Sequence, residues 1–205
     1  MTYTLFFIPQ LSHIQLTDMD DEQLDIINAD NQVIGQIGKS IAHRDGVLHR
    51  IVIGELVNSK GEFCLVKQSA SRQDAGQFVS PIGGHARAGE GTEAALIRES
   101  HEEVGFTPTD FKFIGQTLYN REVIGRKENH LFLVYQIACD VDPILNHESV
   151  DFHWFSINEI KTNLKSNPKL FGAAWHHVFQ NLYPEIYKTT SPIHAIRDRS
   201  YLERD

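Results

Sequence analysis

Short apolar runs separated by polar turns dominate the first third of the chain and predict strands rather than helices. The pattern predicts a hairpin over residues 24–37, with its polar turn at 28–32. A second hairpin is predicted over residues 50–67, with its turn at 58–61. Residues 68–90 are polar and rich in glycine, so we expect a long functional loop there instead of a buried element.

Helical spacing begins after this loop and alternates with further strands. It predicts a helix that begins at Thr92, whose side chain can cap it, and ends at Gly105. Ser156 and Glu159 have the spacing of a capping box, which predicts a short helix. Between these two helices, apolar runs predict three strands, at residues 111–117, 131–139 and 151–155.

The last predicted helix starts at Asn167 and Pro168 and has one apolar face, which is typical of a helix packed on a core. That face consists of Phe171, Trp175, Val178 and Leu182. The order of hairpins, central helix, strands and helices predicts an α+β fold in which helices sandwich a mixed sheet. The length favours one domain at residues 23–187, flanked by an N-terminal extension at 1–22 and a C-terminal tail at 188–205.

Composition and charge limit the partners of the chain. It has 205 residues, of which 41% are hydrophobic, and a net charge of −8. An acidic protein of this kind attracts neither a nucleic-acid polymer nor an anionic membrane surface, and no run of about 18 apolar residues predicts a membrane span. Cys64 and Cys139 lie in apolar runs and are expected to be buried thiols, which indicates a cytoplasmic protein.

Much of the negative charge is concentrated in residues 84–106, which hold five glutamates and two arginines. In a helix, three of these glutamates share a face because they are three and four residues apart. Like charges at such spacings destabilise a helix by roughly a few tenths of a kcal/mol per pair, and a hard divalent cation would remove that penalty. The alternative is a solvated acidic face. The glutamates are Glu99, Glu102 and Glu103, and the opposite, packing face carries Ile97, Ser100 and Val104.

These residues stand at the offsets of a known family motif. The segment resembles the Nudix box, in which glycine, glutamate and arginine recur at fixed spacing and end on a glycine and a bulky residue. Ser100 departs from the pattern, which usually has an apolar residue there, and we interpret it as a core adjustment because it lies on the packing face. The matching residues are Gly84, Glu90, Arg98, Glu99, Glu102, Glu103, Gly105 and Phe106.

The resemblance implies a Nudix fold and a substrate in which a diphosphate is linked to another moiety. Arg98 would pair with Glu90 and orient the helix, and His85 in the box loop is a further candidate for contact with metal or phosphate. The base that accepts the proton of the attacking water stays open between Glu102, Glu103 and a residue outside the box. The catalytic residues that the resemblance implies, which would also hold Mg²⁺ or Mn²⁺, are Glu99, Glu102 and Glu103.

The residues before the box resemble the subgroup of this family that is allied to type I isopentenyl-diphosphate isomerase. His43, His49 and His85 stand in the places of metal-binding histidines of the isomerase. The resemblance implies that His43, His49, Glu128 and His130 could form a second metal site, since imidazole readily binds transition metals. His130 stands where the isomerase has a catalytic glutamate, and Gly83 stands where it has its catalytic cysteine. Isomerisation needs an acid and a base across the double bond, so these two departures favour hydrolysis.

Basic residues near the expected cleft are candidates for phosphate binding, although each could equally be a solvated surface charge. They are Lys67 and Arg72, together with Arg121, Arg126 and Lys127. We therefore expect a metal-dependent hydrolase that cleaves a diphosphate linkage in a nucleoside diphosphate or a related small molecule. Two alternatives stay open, an isopentenyl-diphosphate isomerase-like enzyme and a non-catalytic nucleotide-binding module. The extension and the tail could mediate a homodimer.

Overall fold

A mixed sheet of seven strands forms the centre of the computed structural model, which describes residues 21–187. The strands of this sheet are β3 His49–Val57, β4 Phe63–Gln68, β5 Phe78–Val79, β6 Ile82–His85, β7 Phe111–Val123, β8 Arg126–Ala138 and β9 Ser149–Phe155. A separate hairpin consists of β1 Gln23–Ile27 and β2 Val33–Gly38. The helices are α1 Lys39–Asp45, α2 Thr92–Val104, α3 Ile157–Ser166, α4 Ala173–Leu182 and α5 Pro184–Tyr187.

The parallel pair β3 and β8 lies at the middle of the sheet, in register from His49 opposite His130 to Val57 opposite Ala138. On the far side of β8, the antiparallel strand β7 forms one edge of the sheet. On the other side of β3, β6 and β4 pair with different parts of the same strand, and β9 and β5 then pair with β4. This combination of parallel and antiparallel pairs confirms the predicted mixed sheet.

Each face of the sheet is covered by helices, as the order of elements predicted. Successive side chains of β3 alternate between the faces, so that Val52 and Leu56 join the core under α2. Ile51 and Ile53 join the opposite core, to which α3, α4 and α5 contribute. The apolar stripe of the last long helix lies in this second core, where Trp175 and Val178 are fully buried.

The segment between residues 68 and 90, predicted as a loop, contains the strands β5 and β6. β6 pairs antiparallel with β3, from Ile51 opposite His85 to Gly54 opposite Ile82. The loop prediction is therefore wrong for these residues. Two consecutive glycines in β6 carry no side chains, so the alternation by which a strand is recognised is absent from the sequence.

The second predicted hairpin exists only beside its turn, where Leu56 pairs with Cys64 and Val57 pairs with Phe63. β9 pairs with β4 along its other edge. Beyond the two pairs with β3, β4 pairs instead with β5, and β6 takes the place of β4 beside β3. In contrast, β7 and β8 form a much longer hairpin than their predicted strands, with its tip at Ile124 and Gly125. Polar residues at the outer ends of both strands conceal this extension in the sequence.

Some helix ends lie at the residues that the sequence predicts, and others do not. Gly105 has the left-handed φ of 77° that ends α2, and the capping box at Ser156 is present at the start of α3. The cap of α2 is Gly91 instead of Thr92, because the Thr92 hydroxyl lies 2.7 Å from the Tyr135 hydroxyl and is used there.

The last long helix begins later than predicted. Pro168 starts only a short 3-10 turn that ends at Leu170, and α4 begins at Ala173. The reason is a tertiary contact that the sequence does not reveal, in which the Gly172 N–H donates to the Phe78 carbonyl at 2.9 Å.

The predicted extension and tail lie outside the described residues, apart from Asp21 and Glu22 at the end of the extension. Asp21 accepts a 2.6 Å hydrogen bond from the Ser40 hydroxyl, so contacts with the domain start before the predicted boundary. Cys64 and Cys139 are free thiols, and Cys64 is buried as predicted. The prediction is wrong for Cys139, which is only partly buried near the end of the central strands. Within residues 21–187, the helices are too short and too polar to cross a lipid bilayer.

Candidate functional site

One arginine fixes the acidic face of α2 to the loop that precedes it. Arg98 donates through Nε and Nη2 to the two carboxylate oxygens of Glu90, both at 2.9 Å. Its Nη1 donates to Glu99 Oε1 at 2.6 Å, and Nη2 also donates to the His85 carbonyl at 2.9 Å. Burial alone would raise the pKa of Glu90, but these hydrogen bonds outweigh it and hold that pKa below its usual value.

Two consecutive glycines of β6 receive the carboxylates of the helix. The Gly83 N–H donates to Glu103 Oε2 at 2.7 Å. The space in which Gly84 would carry a Cβ is filled by the Glu99 carboxylate, so any larger residue there would collide with it. Burial raises the pKa of Glu103 to about 8, against the opposing hydrogen bond from Gly83, and burial also raises the pKa of Glu99.

This carboxylate set fits a hard divalent cation. Three carboxylates lie within one helical turn, and two of them are held in surroundings that disfavour their negative charge. A dication that prefers oxygen ligands would offset that unfavourable burial. The residues that would hold Mg²⁺ or Mn²⁺ are Glu99, Glu102 and Glu103.

Four histidines from four different elements meet at the opposite face of β6. A side chain at Gly84 would point at α2. Because side chains alternate along a strand, that of His85, the next residue, points away from α2. There the Nε2 atoms of His85 and His43 are 2.9 Å apart. One nitrogen from each of four rings lies within 4.8 Å of the others, and the rings belong to His43, His49, His85 and His130.

The histidine rings are poised as neutral ligands. Burial lowers the pKa of His43 to about 4 and that of His130 to about 2, and it lowers the pKa of His85 well below its usual value. His49 Nδ1 donates to the Val47 carbonyl at 2.7 Å, which leaves its Nε2 as an unprotonated lone pair.

Several ring nitrogens in this cluster are buried without a hydrogen-bond partner among the described residues, namely His43 Nδ1, His49 Nε2 and His130 Nε2. Buried ring nitrogens without a partner are costly unless a ligand completes them. Neutral imidazoles are preferred ligands of transition metals, so the cluster fits an ion such as Zn²⁺ better than Mg²⁺.

The predicted grouping of the metal ligands therefore needs correction. His85 is predicted as a metal ligand beside the carboxylates of the box, although it also occupies the place of an isomerase histidine, and the structure places it among the histidines. Glu128 was expected with the histidines, but it is buried beside them and accepts a 2.8 Å hydrogen bond from Arg121 Nε. The four-ring group does not include it.

A cavity of about 380 Å³ connects the carboxylates with the histidines. Its volume is within the range of small-molecule sites. Glu99, Glu102 and Glu103 line one side, and His43, His85 and His130 line another. Apolar side chains also line it, among them Ile51, Ile53, Val66, Val79 and Phe132.

The candidate phosphate contacts differ in their placement. Arg72 lines the cavity, where its Nη2 lies 2.9 Å from Glu148 Oε2. Lys67 and Lys127 lie outside the lining, because strand alternation turns Lys67 to the other face and Lys127 packs near Gly46. Arg126 lines the cavity at the histidine end.

Several polar residues of the cavity could not be singled out from the sequence, among them Glu22, Lys39 and Glu148. Lys39 pairs with Glu22 at 2.9 Å beside the histidines, and Glu148 lies near Glu103 and contributes to the raised pKa of that carboxyl. These residues belong to no motif, and only the folded chain brings them to the site. The hydroxyl of Tyr119 is buried at the cavity without a hydrogen-bond partner among residues 21–187.

The fold and the box agree with a comparison of the chain with protein families. The NUDIX domain family matches residues 47–174, which is more than half of the chain. The chain therefore belongs to the Nudix family. Solved structures of similar fold include a protein of Deinococcus radiodurans, with a TM-score of 0.63 and 22% identity over 78% of this chain and 98% of the other. A MutT protein of Methanosarcina mazei has a TM-score of 0.55 and 22% identity over 71% of this chain and 96% of the other.

Within that family the chain is similar in sequence to curated isopentenyl-diphosphate Delta-isomerases. The enzyme of Serratia proteamaculans is 30% identical over 154 residues, which cover 74% of this chain and 86% of the isomerase. An enzyme of Photorhabdus laumondii named isopentenyl-diphosphate Delta-isomerase 2 is 28% identical over 167 residues, which cover 79% of this chain and 93% of the isomerase. The similarity to this subgroup confirms the predicted relationship.

Proposed function

We propose that the chain is a metal-dependent hydrolase that cleaves a diphosphate linkage in a nucleoside diphosphate or a related small molecule. The observation that carries this proposal is the complete carboxylate set, Glu99, Glu102 and Glu103, directed into one cavity. Arg98 and Glu90 hold the helix and its loop in the required register.

Mg²⁺ or Mn²⁺, when bound, would neutralise the charge that develops on the phosphate oxygens. The chain itself orients the carboxylates, since the Gly83 N–H fixes Glu103 and Arg98 fixes Glu99. A proton acceptor must lie within hydrogen-bond reach of the attacking water. Glu102 and Glu103 are the candidates from the box, and Glu148 is the candidate from outside it.

The histidine cluster has a separate place in the proposal. We infer that His43, His49, His85 and His130 hold a second, transition-metal ion at the other end of the cavity. The unpartnered buried nitrogens support this assignment. Its contribution to the reaction would be to bind and orient the part of the substrate that lies beyond the diphosphate.

A second candidate function is isomerisation of an isoprenoid diphosphate. The names of the curated relatives favour it, as does the position of the histidine cluster. Gly83 argues against it, because a glycine offers neither a thiol nor any other group that can transfer a proton to carbon. At His130, a neutral imidazole stands in place of the glutamate that the isomerase resemblance would require.

A panel of small diphosphates with Mg²⁺ or Mn²⁺ tests the proposal. The wild type is compared with Glu102→Gln and Glu103→Gln, and with Glu93→Gln as a matched control, because Glu93 is exposed on the same helix. We expect the wild type and the control to cleave one member of the panel and the two site variants to lose that activity. Full activity in both site variants would refute the proposal, and so would the absence of cleavage by the wild type. Migration of the double bond in isopentenyl diphosphate would favour the second candidate, and ligand binding without turnover would favour a non-catalytic module.

A further inference from the structure

Almost every cation of the cavity is neutralised by a carboxylate of the chain. Arg121 Nη1 lies 2.8 Å from Asp74 and its Nε lies 2.8 Å from Glu128. The other pairs are Lys39 with Glu22, Arg72 with Glu148, and Arg98 with Glu90 and Glu99. Arg126 is the exception, because no carboxylate of residues 21–187 lies within ion-pair distance of its guanidinium.

Strand geometry places Arg126 at the histidine end of the cavity. It is the first residue of β8, and alternation puts its side chain on the same face as Glu128 and His130. The cavity lining that contains Arg126 also contains His43 and His130. An imidazole carries no negative charge, so these rings do not offset the charge of the guanidinium.

An arginine in this environment is available for an anion. Its guanidinium presents several N–H donors in a planar fork, which matches the oxygens of a phosphate or a carboxylate. Arg98 and Arg121 already use their forks on carboxylates of the protein, and Arg72 is bound to Glu148 through Nη2, although its Nε has no partner among the described residues. A ligand oxyanion at Arg126 would complete the same arrangement.

We propose that Arg126 binds a second oxyanion of the substrate, a phosphate or carboxylate group separate from the diphosphate held at the box. This inference rests on the proposed function and narrows the substrate class. The substrate would be a diphosphate whose far end also carries negative charge, which an uncharged isoprenoid chain does not. Arg126 then determines specificity and does not take part in bond cleavage.

Binding can be tested without turnover. Inorganic phosphate and, in parallel, acetate are titrated into the protein in the presence of EDTA while the Nε–Hε signals of the arginine side chains are followed by NMR. The signal that is missing from Arg126→Gln identifies the residue. We expect that signal to shift saturably with one of the two anions, and the anion that binds more tightly indicates the chemical class.

Lys127→Gln is the matched control, because it removes the same charge one residue away and outside the cavity. The Arg126 signal should still shift in this control. An Arg126 signal that neither anion shifts would overturn the inference.

Selectivity supplies the second readout. Nucleoside diphosphates that differ only in an additional phosphate on the ribose are compared as substrates. We expect Arg126→Gln to lower kcat/KM for the substrate with the additional phosphate by about 10- to 100-fold more than for its counterpart, since hydrogen bonds to charged groups contribute strongly. We expect the selectivity of Arg126→Lys to lie between that of the wild type and that of Arg126→Gln. Equal losses for both substrates would overturn the inference.

The two experiments separate this inference from the proposed function. If the Arg126 signal shifts with phosphate but no diphosphate is cleaved, the hydrolase proposal fails and the anion site stands. If cleavage occurs and depends on Glu103, but the signal is unmoved, the anion site fails and the hydrolase stands.

Discussion

The two metal-binding candidates of the cavity are assembled in opposite ways. At the box, three carboxylates come from a single turn of α2, and Arg98 and two backbone positions of β6 hold them. At the other end, the ligands come from α1, β3, β6 and β8, and the chain must fold before any two of them meet. The first site is local in sequence and negatively charged. The second depends on tertiary structure and is neutral.

Because one site is negatively charged and the other is neutral, we expect the two sites to select different ions. Clustered carboxylates repel one another until a hard cation is bound, so the box favours Mg²⁺ or Mn²⁺. Buried neutral imidazoles gain little from a weakly binding hard ion but bind transition metals well. β6 connects the two sites, because Gly83 and Gly84 contact the carboxylates while His85, the next residue, belongs to the histidines.

The comparison predicts that the two sites can be disabled independently. Glu103→Gln should lower the rate of diphosphate cleavage by about 1,000-fold, since loss of a metal ligand removes several kcal/mol of transition-state stabilisation. The same variant should bind Co²⁺ at the histidines as the wild type does, as judged by the visible absorption of the ion. Loss of the Co²⁺ spectrum in Glu103→Gln would show that the two sites are one.

The two glycines of β6 provide a matched pair of variants. Gly84→Ala should lower the free energy of unfolding by about 3 kcal/mol and displace Glu99, because its Cβ would overlap that carboxylate. Gly83→Ala should change stability by less than about 1 kcal/mol, since the nearest atom to its Cβ is Ile53 Cδ1 at 3.5 Å. Urea unfolding of both variants measures the difference. Similar losses in the two would mean that Glu99 is not held against Gly84.

Glu55 is a buried carboxylate that belongs to neither site. It is fully buried in β3, where Ser80 Oγ donates to it at 2.6 Å, and burial raises its pKa to about 7 from 4.5. As the pH rises from 4.5, the unfolded chain releases a proton that folded Glu55 retains until about pH 7. Glu55 therefore makes the folded state less stable as the pH rises, by about 3 kcal/mol in total.

Glu55→Gln should lack this contribution. The free energy of unfolding of the variant minus that of the wild type should therefore increase by about 2 to 3 kcal/mol from pH 5 to pH 8. Urea unfolding in EDTA across that range measures it. Glu185→Gln serves as the control, because Glu185 is exposed near the same core. If the difference between Glu55→Gln and the wild type is the same at every pH, the Glu55 carboxyl is not buried as the structure indicates.

The smallest expected effect is on the histidine site. His130→Ala should weaken Co²⁺ binding at least about tenfold, because one of four imidazoles is lost. His101→Ala, on the exposed side of α2, should leave the affinity unchanged. A spectroscopic titration at neutral pH compares the two. Equal affinities in His130→Ala and the wild type would remove His130 from the proposed ligand set.

The sequence predicts the box well because its function depends on local spacing. Glu99, Glu102 and Glu103 share a face in any helix, and the positive φ of Gly105 ends the helix where the motif requires it. The histidine cluster could be predicted only in part, because nothing local indicates that His85 faces away from the carboxylates. That direction follows from β6 being a strand, and its consecutive glycines conceal the alternation.

The fold class was predictable from the order of elements, but the partners of the strands were not. β4 leaves β3 after two residue pairs, and β6 replaces it through backbone hydrogen bonds that leave no trace in composition. Arg126 also could not be distinguished from the sequence alone. In the sequence it is one of several basic residues, and only the ion pairs formed by the others distinguish it.

We propose that the protein cleaves a diphosphate linkage and does not move the double bond of isopentenyl diphosphate. NMR of candidate diphosphates, isopentenyl diphosphate included, incubated with the protein and Mg²⁺ or Mn²⁺ in ¹⁸O-labelled water tests it directly. We expect ¹⁸O bonded to phosphorus in the product of one candidate, with isopentenyl diphosphate not isomerised. Conversion of isopentenyl diphosphate into its double-bond isomer, with no ¹⁸O incorporated into any phosphate product, would contradict it.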